Sequence, residues 1–240
     1  MNQQLHNGET SPHPGLAAST ARHYPRAWQR PEVDRILHRD EHLFHEGESL
    51  TRAYVVVSGI LKSYVIDEDG REQIIGFHMA GDTIGFEAVA GCPAASSVQA
   101  LNTTSVRRIS EAGAGNRTES TNQAVLLGMY QEMLRLTRTL QMERRSLEQR
   151  LAVFLIDFGE RQARAGCSRN EFLLPMGRKD LARHLGLAPE TLSRVFSRFR
   201  NRGILNVDDN HVTVLDPGAL RLVAGHWDSP SARHSGNMSG

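Results

Sequence analysis

Between Met176 and Arg202 stand seven basic side chains, Arg178, Lys179, Arg183, Arg194, Arg198, Arg200 and Arg202, against two acidic ones, Asp180 and Glu190. Inside that stretch, Glu190-Thr191-Leu192-Ser193-Arg194 sets three polar groups at helical spacing. Their chemistry suits the edges of base pairs. A guanidinium donates two hydrogen bonds to guanine O6 and N7, a carboxylate accepts from cytosine N4, and a hydroxyl reaches a base or a phosphate. Glu190, Ser193 and Arg194 are therefore the candidate base readers. Arg178, Lys179, Thr191, Arg198 and Arg200, with Arg202 beyond them, are candidates for phosphate contacts, which set register and salt dependence rather than sequence. The bland alternative is a helical hairpin with a solvated basic face.

Such groups need elements to aim them. Asp180 to Leu185 carries Leu181, Ala182 and Leu185 on one face, and Gly186 suits a left-handed turn at the helix end. Ala188-Pro189-Glu190 opens a second helix with proline at the first turn, where its missing N–H is harmless. Leu192, Val195, Phe196 and Phe199 point its other face inward. Ile204–Val207 and Val212–Leu215, joined through Asp208-Asp209-Asn210, read as a closing hairpin. Two short helices about a glycine turn, followed by a hairpin, form a winged helix-turn-helix.

Upstream the texture differs. From Leu43 to Ile109, strand-length apolar runs at Tyr54–Val57, Ile60–Ile66, Gln73–Phe77 and Val98–Leu101 alternate with glycines, and Asp69-Gly70 is a good hairpin turn. An antiparallel sandwich or barrel is expected. After about Ser120 the period becomes seven: Leu126, Met133, Leu140, Leu147 and Phe154, with Tyr130, Leu151 and Phe158 between, interrupted at Thr137 and Arg144. This is one long helix or two in succession. The stripe is either core or a dimer seam, and in the second case Leu126, Tyr130, Met133, Leu140 and Leu147 are the dimerisation residues.

Composition excludes several classes. The 240 residues fit two modest domains, and 28 basic against 27 acidic side chains leave a net charge of +1, so any polyanion site must be local. Two cysteines, Cys92 and Cys167, exclude a disulfide framework, a four-cysteine zinc site and a cluster held by four thiolates of one chain. Neither a signal segment nor a membrane-length apolar run is present, so a cytoplasmic location and no membrane partner are expected. Residues 1–24 and 226–240 read as tails. No nucleophile elbow, phosphate loop or zinc-protease helix occurs, so no catalytic residue is assigned and an enzyme is not expected.

Two segments, YVVVSGILKSYVIDEDGREQIIGFHMAGDTIGFEAV at 54–89 and LPMGRKDLARHLGLAPETLSRVFSRFRNRGIL at 174–205, resemble the Crp/Fnr family of bacterial transcription factors, most closely its fumarate–nitrate branch. The resemblance runs from about Leu43 to Leu222. It implies an α+β chain with a β-roll sensor of the cyclic-nucleotide-binding jelly-roll type over 25–120, a dimerisation helix over 121–147 and a winged helix-turn-helix over 148–225. In that branch Glu-x-x-Ser-Arg, here Glu190, Ser193 and Arg194, reads a TTGAT-type half-site. A homodimer would read the inverted repeat in double-stranded DNA and engage RNA polymerase, chiefly as an activator of anaerobic, redox or nitrogen-oxide-responsive genes.

Departures from the family narrow the signal. Residues 72–106 hold no arginine or lysine, so the phosphate of a cyclic nucleotide finds no cation there. Residues 1–91 hold no cysteine, and Arg107 stands about where cluster-bearing relatives keep their internal one. No cofactor is therefore expected. The alternative is a ligand-gated regulator with haem or another small molecule in the roll, His78 being the candidate haem ligand. His38, His42 and His45 could hold a metal, but on an extended strand His45 faces away from the other two, so no metal site is assigned. Cys167, between Arg164 and Arg169, is a candidate redox residue. Residues 111–122 are poorer in apolar side chains than the family connector, which fits a regulator active without ligand.

Overall fold

The computed structural model describes residues 35–109, 126, 128–130, 133, 134, 137 and 144–225. The tails anticipated at 1–24 and 226–240, the connector 111–122 and Leu140 lie outside them.

The first domain is a β-roll of two four-stranded sheets, paired antiparallel throughout. One runs β1 (Arg35–Leu37), β8 (Thr104–Arg108), β3 (Tyr54–Ser58), β6 (Thr83–Ile84); the other β2 (His42–Phe44), β7 (Ser97–Ala100), β4 (Ile60–Ile66), β5 (Glu72–Met79). Leu37, Phe44, Val56, Leu61, Val98 and Val106 pack between the sheets. The β4–β5 turn is closed by Asp67, whose Oδ1 accepts from the N–H groups of Asp69 and Arg71 while Gly70 takes φ +75°. Strands β1, β2, β6 and β8 add to the four apolar runs expected; β1, β2 and β6 have three residues or fewer, too short for alternation to register.

One expectation about the roll is corrected. His45 does not face away from His42: their rings stack, with centroids 4.2 Å apart. The pairing of β2 with β7 slips between His42 and Phe44, and His45 lies beyond the strand, so strict alternation does not reach it. His42 Nε2 lies 2.9 Å from the Tyr64 hydroxyl, and burial, His45 and Lys62 together lower its pKa.

The seven-residue stripe divides between two helices. Leu126, Met129, Tyr130 and Met133 lie in helical backbone and are exposed, while Gly128 is buried against the roll, where an added Cβ would fall 2.6 Å from the Phe86 ring. Residues 144–146 are not helical. Ser146 then caps a new helix, α1 (Leu147–Arg164), its hydroxyl accepting from the Gln149 N–H while the Gln149 side chain accepts from the Ser146 N–H. Leu147 therefore opens α1 and does not continue the earlier helix. Phe154 and Phe158 are buried within the chain, Phe158 5.1 Å from the Phe172 ring.

Beyond α1 come β9 (Glu171–Leu173), α2 (Arg178–His184), α3 (Pro189–Asn201), β10 (Leu205–Asp208), β11 (His211–Val214) and α4 (Pro217–Ala224). The fold class is α+β, as expected. The two domains share one core: Ile60, Tyr64, Ile74, Phe77 and Met79 of the roll join Phe154, Leu181, Leu192 and Phe199 in a single buried cluster. Buried Lys62 reaches both Glu72, at 2.9 Å, and Asp180 of α2, at 3.6 Å; Arg183 of α2 meets Glu72 at 3.1 Å. Arg161 of α1 pairs with Asp82 and donates to the Phe77 carbonyl. No helix among the described residues is long and apolar enough to cross a membrane.

Gly159 makes this packing possible. A Cβ there would lie 2.2 Å from the Arg169 carbonyl oxygen, so the turn that follows α1 can approach only a bare backbone. Alanine at an exposed helix site stabilises by up to ~1 kcal/mol over glycine. Gly159→Ala should instead destabilise by about 1–3 kcal/mol through overpacking, seen as a lower urea midpoint; a higher midpoint would contradict the packing.

Candidate nucleic-acid interface

The two helices of the motif meet at Gly186, which takes φ +65°. Its N–H donates to the Arg183 carbonyl and that of Leu187 to Ala182, closing α2 in the turn expected of glycine at a helix end. A further contact on this turn has no signal in the sequence. Arg150 of α1 donates through Nη1 to the Leu185 carbonyl at 3.0 Å and through Nε to the Arg145 carbonyl at 3.1 Å, fastening the turn to residues just ahead of α1.

Helix α3 has Pro189 in its first turn, and Leu192, Val195, Phe196 and Phe199 are buried. That burial turns Glu190, Ser193, Arg194, Ser197, Arg198 and Arg200 to solvent, with Thr191 half-buried. Glu190 sits in the first turn, where the helix dipole favours an anion. The Ser193 hydroxyl donates to the Pro189 carbonyl at 3.0 Å, so its remaining capacity is to accept, as from a base amino group. No acidic group among the described residues lies within ion-pair distance of Arg194. The three candidate base readers thus share an exposed helix face, and Lys179 is exposed on α2.

Three candidate phosphate contacts are engaged elsewhere. Arg178 turns inward: its guanidinium lies 4.0 Å over the Phe196 ring, and Nη2 donates to the Asp209 carbonyl at 2.7 Å. Burial lowers its pKa below the ordinary guanidinium value, with Asp209 opposing the shift. A planar cation that stacks on an aromatic face is better suited to bracing the wing than to a mobile phosphate contact. Arg198 and Arg202 each meet one oxygen of Glu148, both at 3.2 Å. Glu148 lies 50 residues before Arg198, and no local pattern signals the pairing.

The wing has three strands rather than two. β10 pairs with β11 from Leu205↔Val214 to Asp208↔His211, and β11 pairs with β9, a strand not expected from the sequence because only Phe172 of its three residues is buried. Cys167 is half-buried in the turn after α1, its N–H donating to the Gln162 carbonyl, while Cys92 is exposed on the roll. His78 is buried in β5 with Nε2 2.9 Å from the Ser63 hydroxyl, so that nitrogen is already engaged within the sheet.

Comparison with known proteins agrees with this arrangement. Residues 149–223 match the Crp-like helix-turn-helix domain and residues 34–114 the cyclic nucleotide-binding domain. The chain is 36% identical over 199 residues to the fumarate and nitrate reduction regulatory protein of Salmonella typhi, covering 79% of this chain and 78% of that protein. It is 34% identical over 194 residues to electron transport regulator A of Shewanella oneidensis, again covering 79% and 78%. Among solved structures, FixK2 from Bradyrhizobium japonicum superposes with a TM-score of 0.71 at 25% identity, covering 81% of this chain and 98% of that one.

The domain class of the roll suggests a nucleotide ligand, and its side chains bear on that directly. Its buried polar side chains are Lys62, Ser63, His78, Thr83, Ser97 and Thr104; the Lys62 ammonium is taken by Glu72 and Asp180. The Glu87 carboxylate accepts from the Ala95 N–H, and the segment 72–106 that holds both has no arginine or lysine to meet a phosphate. These residues do not fit a cyclic nucleotide phosphate, and two cysteines do not fit a four-thiolate cluster.

Proposed function

The chain belongs to the Crp/Fnr family of DNA-binding transcription regulators, and from that premise we propose that it is a homodimeric activator that reads a TTGAT-type inverted repeat without an iron–sulfur cluster, cyclic AMP or haem. The observation that carries the reading is the exposed row Glu190, Ser193 and Arg194 on α3, seated by a buried face and flanked by the wing. Dimerisation is supported by the exposed apolar side chains Leu126, Met129, Tyr130 and Met133, each in helical backbone. A two-fold dimer matches a palindromic site. Double-stranded DNA, a second copy of the chain and RNA polymerase are the proposed partners. Genes of anaerobic or redox metabolism are the proposed targets, supported by the names of the relatives.

The test is DNA binding and sedimentation of the purified, metal-free full chain. Expected is a dimer that protects a TTGAT palindrome with no added ligand and prefers it to random duplex by about 10³-fold or more. Binding that appears only with haem or a nucleotide would overturn the ligand-free reading. An oxidant arm addresses Cys167: loss of binding reversed by thiol and absent in Cys167→Ser assigns a switch there, and unchanged binding removes it.

A further inference from the structure

The Glu148 carboxylate occupies two exposed cations, Arg198 of the DNA-reading helix and Arg202 just beyond its end. Its Oε1 meets Arg198 Nη1 and its Oε2 meets Arg202 Nη1, so both oxygens are taken by guanidinium groups, as phosphate oxygens would be. The Glu148 side chain is 29% exposed against 61% for Arg198 and 51% for Arg202, so the acid is recessed and the arginines lie over it. Arg198 is four residues beyond Arg194 and therefore shares its side of α3. Glu148 belongs to a different element, the first turn of α1, two residues after the Ser146 cap and next to the non-helical residues 144–146. Its reach toward α3 is thus set at the opening of α1, directly after those non-helical residues.

We propose that Glu148 is a specificity-determining residue of DNA reading: in the free protein it stands in for a DNA phosphate, holding Arg198 and Arg202 so that binding requires an exchange of partners. The inference rests on the proposed function. On random duplex nearly all affinity comes from phosphate contacts, so withholding two cations per protomer removes a large share of it. On the operator, base contacts from α3 bring the backbone close enough for the exchange to occur. Glu148 therefore suppresses random binding more than operator binding, and specificity is that difference.

The experiment compares wild type, Glu148→Gln, Glu148→Asp and Glu148→Gln with Arg198→Gln on the TTGAT palindrome and on random duplex, over a salt series, with thermal midpoints alongside. Each further DNA phosphate that the protein neutralises steepens the log–log salt slope by about 0.9. Expected for Glu148→Gln is random-duplex binding about tenfold tighter near 0.1 M salt, with a slope steeper by about 1–2 per protomer. The tightening on the operator should be smaller and base preference unchanged. Glu148→Asp keeps the wild-type slope, and the double variant loses at least half of the tightening. An unchanged slope and affinity in Glu148→Gln would overturn the proposal. So would weaker binding to both duplexes with a lowered thermal midpoint, which would make the pair a brace between α1 and α3. Wild type that binds neither duplex would fail the proposed function itself, whereas wild type that binds with an inert Glu148 fails only this inference.

Discussion

Arg194→Ala loses about 1–3 kcal/mol of affinity per half-site on the proposed palindrome, and the loss concentrates on the guanine of each half-site. Two protomers make the effect on a full palindrome about twice as large in free energy, because the half-sites are separate. The physical reason is bidentate geometry: one guanidinium satisfies O6 and N7 together, and no other base pair offers two acceptors in that arrangement. No acidic group among the described residues lies within ion-pair distance of Arg194, so its guanidinium is available for this contact. The measurement is binding of wild type and variant to the palindrome, to palindromes with the guanine replaced, and to random duplex. The variant should bind the guanine-replaced sites nearly as well as the original. An equal loss on all three duplexes would instead make Arg194 a phosphate contact.

Phe199→Ala is expected to cost about 3–5 kcal/mol of folding stability, against a typical total of about 5–15 kcal/mol. Phe199 is fully buried near the end of α3, and its carbonyl accepts the Ile204 N–H that turns the chain into β10. The cavity would open where the recognition helix, the wing and the inner helix converge. Because roll and helix-turn-helix residues belong to one buried cluster, both domains should lose structure in a single, earlier urea transition, read at fixed protein concentration because the proposed dimer would contribute. Separate transitions, with only the second domain shifted, would contradict the shared core.

Much of the candidate interface was legible in the sequence because its signals are local. Helices α2 and α3 follow from apolar spacing, Gly186 and Pro189, and the exposure of Glu190, Ser193 and Arg194 is the complement of burying Leu192, Val195, Phe196 and Phe199. The β4 strand emerged with its observed bounds, Ile60–Ile66, since its pattern is uninterrupted and closed by a hairpin turn. The seven-residue stripe left one helix or two in succession open, and it set Leu147 with the earlier helix although a serine cap at Ser146 makes it the first residue of a new one. Periodicity records which residues avoid water; it does not say whether neighbouring turns belong to one helix.

What the sequence determined alone is the menu: a strand-rich first half, a helix-turn-helix with a basic outer face, and base-reading residue types at helical spacing. What only the tertiary structure decided is which charges remain available. Arg178, Arg198 and Arg202 look alike in the sequence, yet one stacks on Phe196 and two lie on Glu148. Lys62, Glu72, Asp180 and Arg183 form one network, in which Glu72 and Arg183 are 111 residues apart. Helix and turn preferences act over three or four residues, whereas an ion pair forms wherever the folded chain brings opposite charges within a few ångströms. Sequence distance carries no information about that meeting.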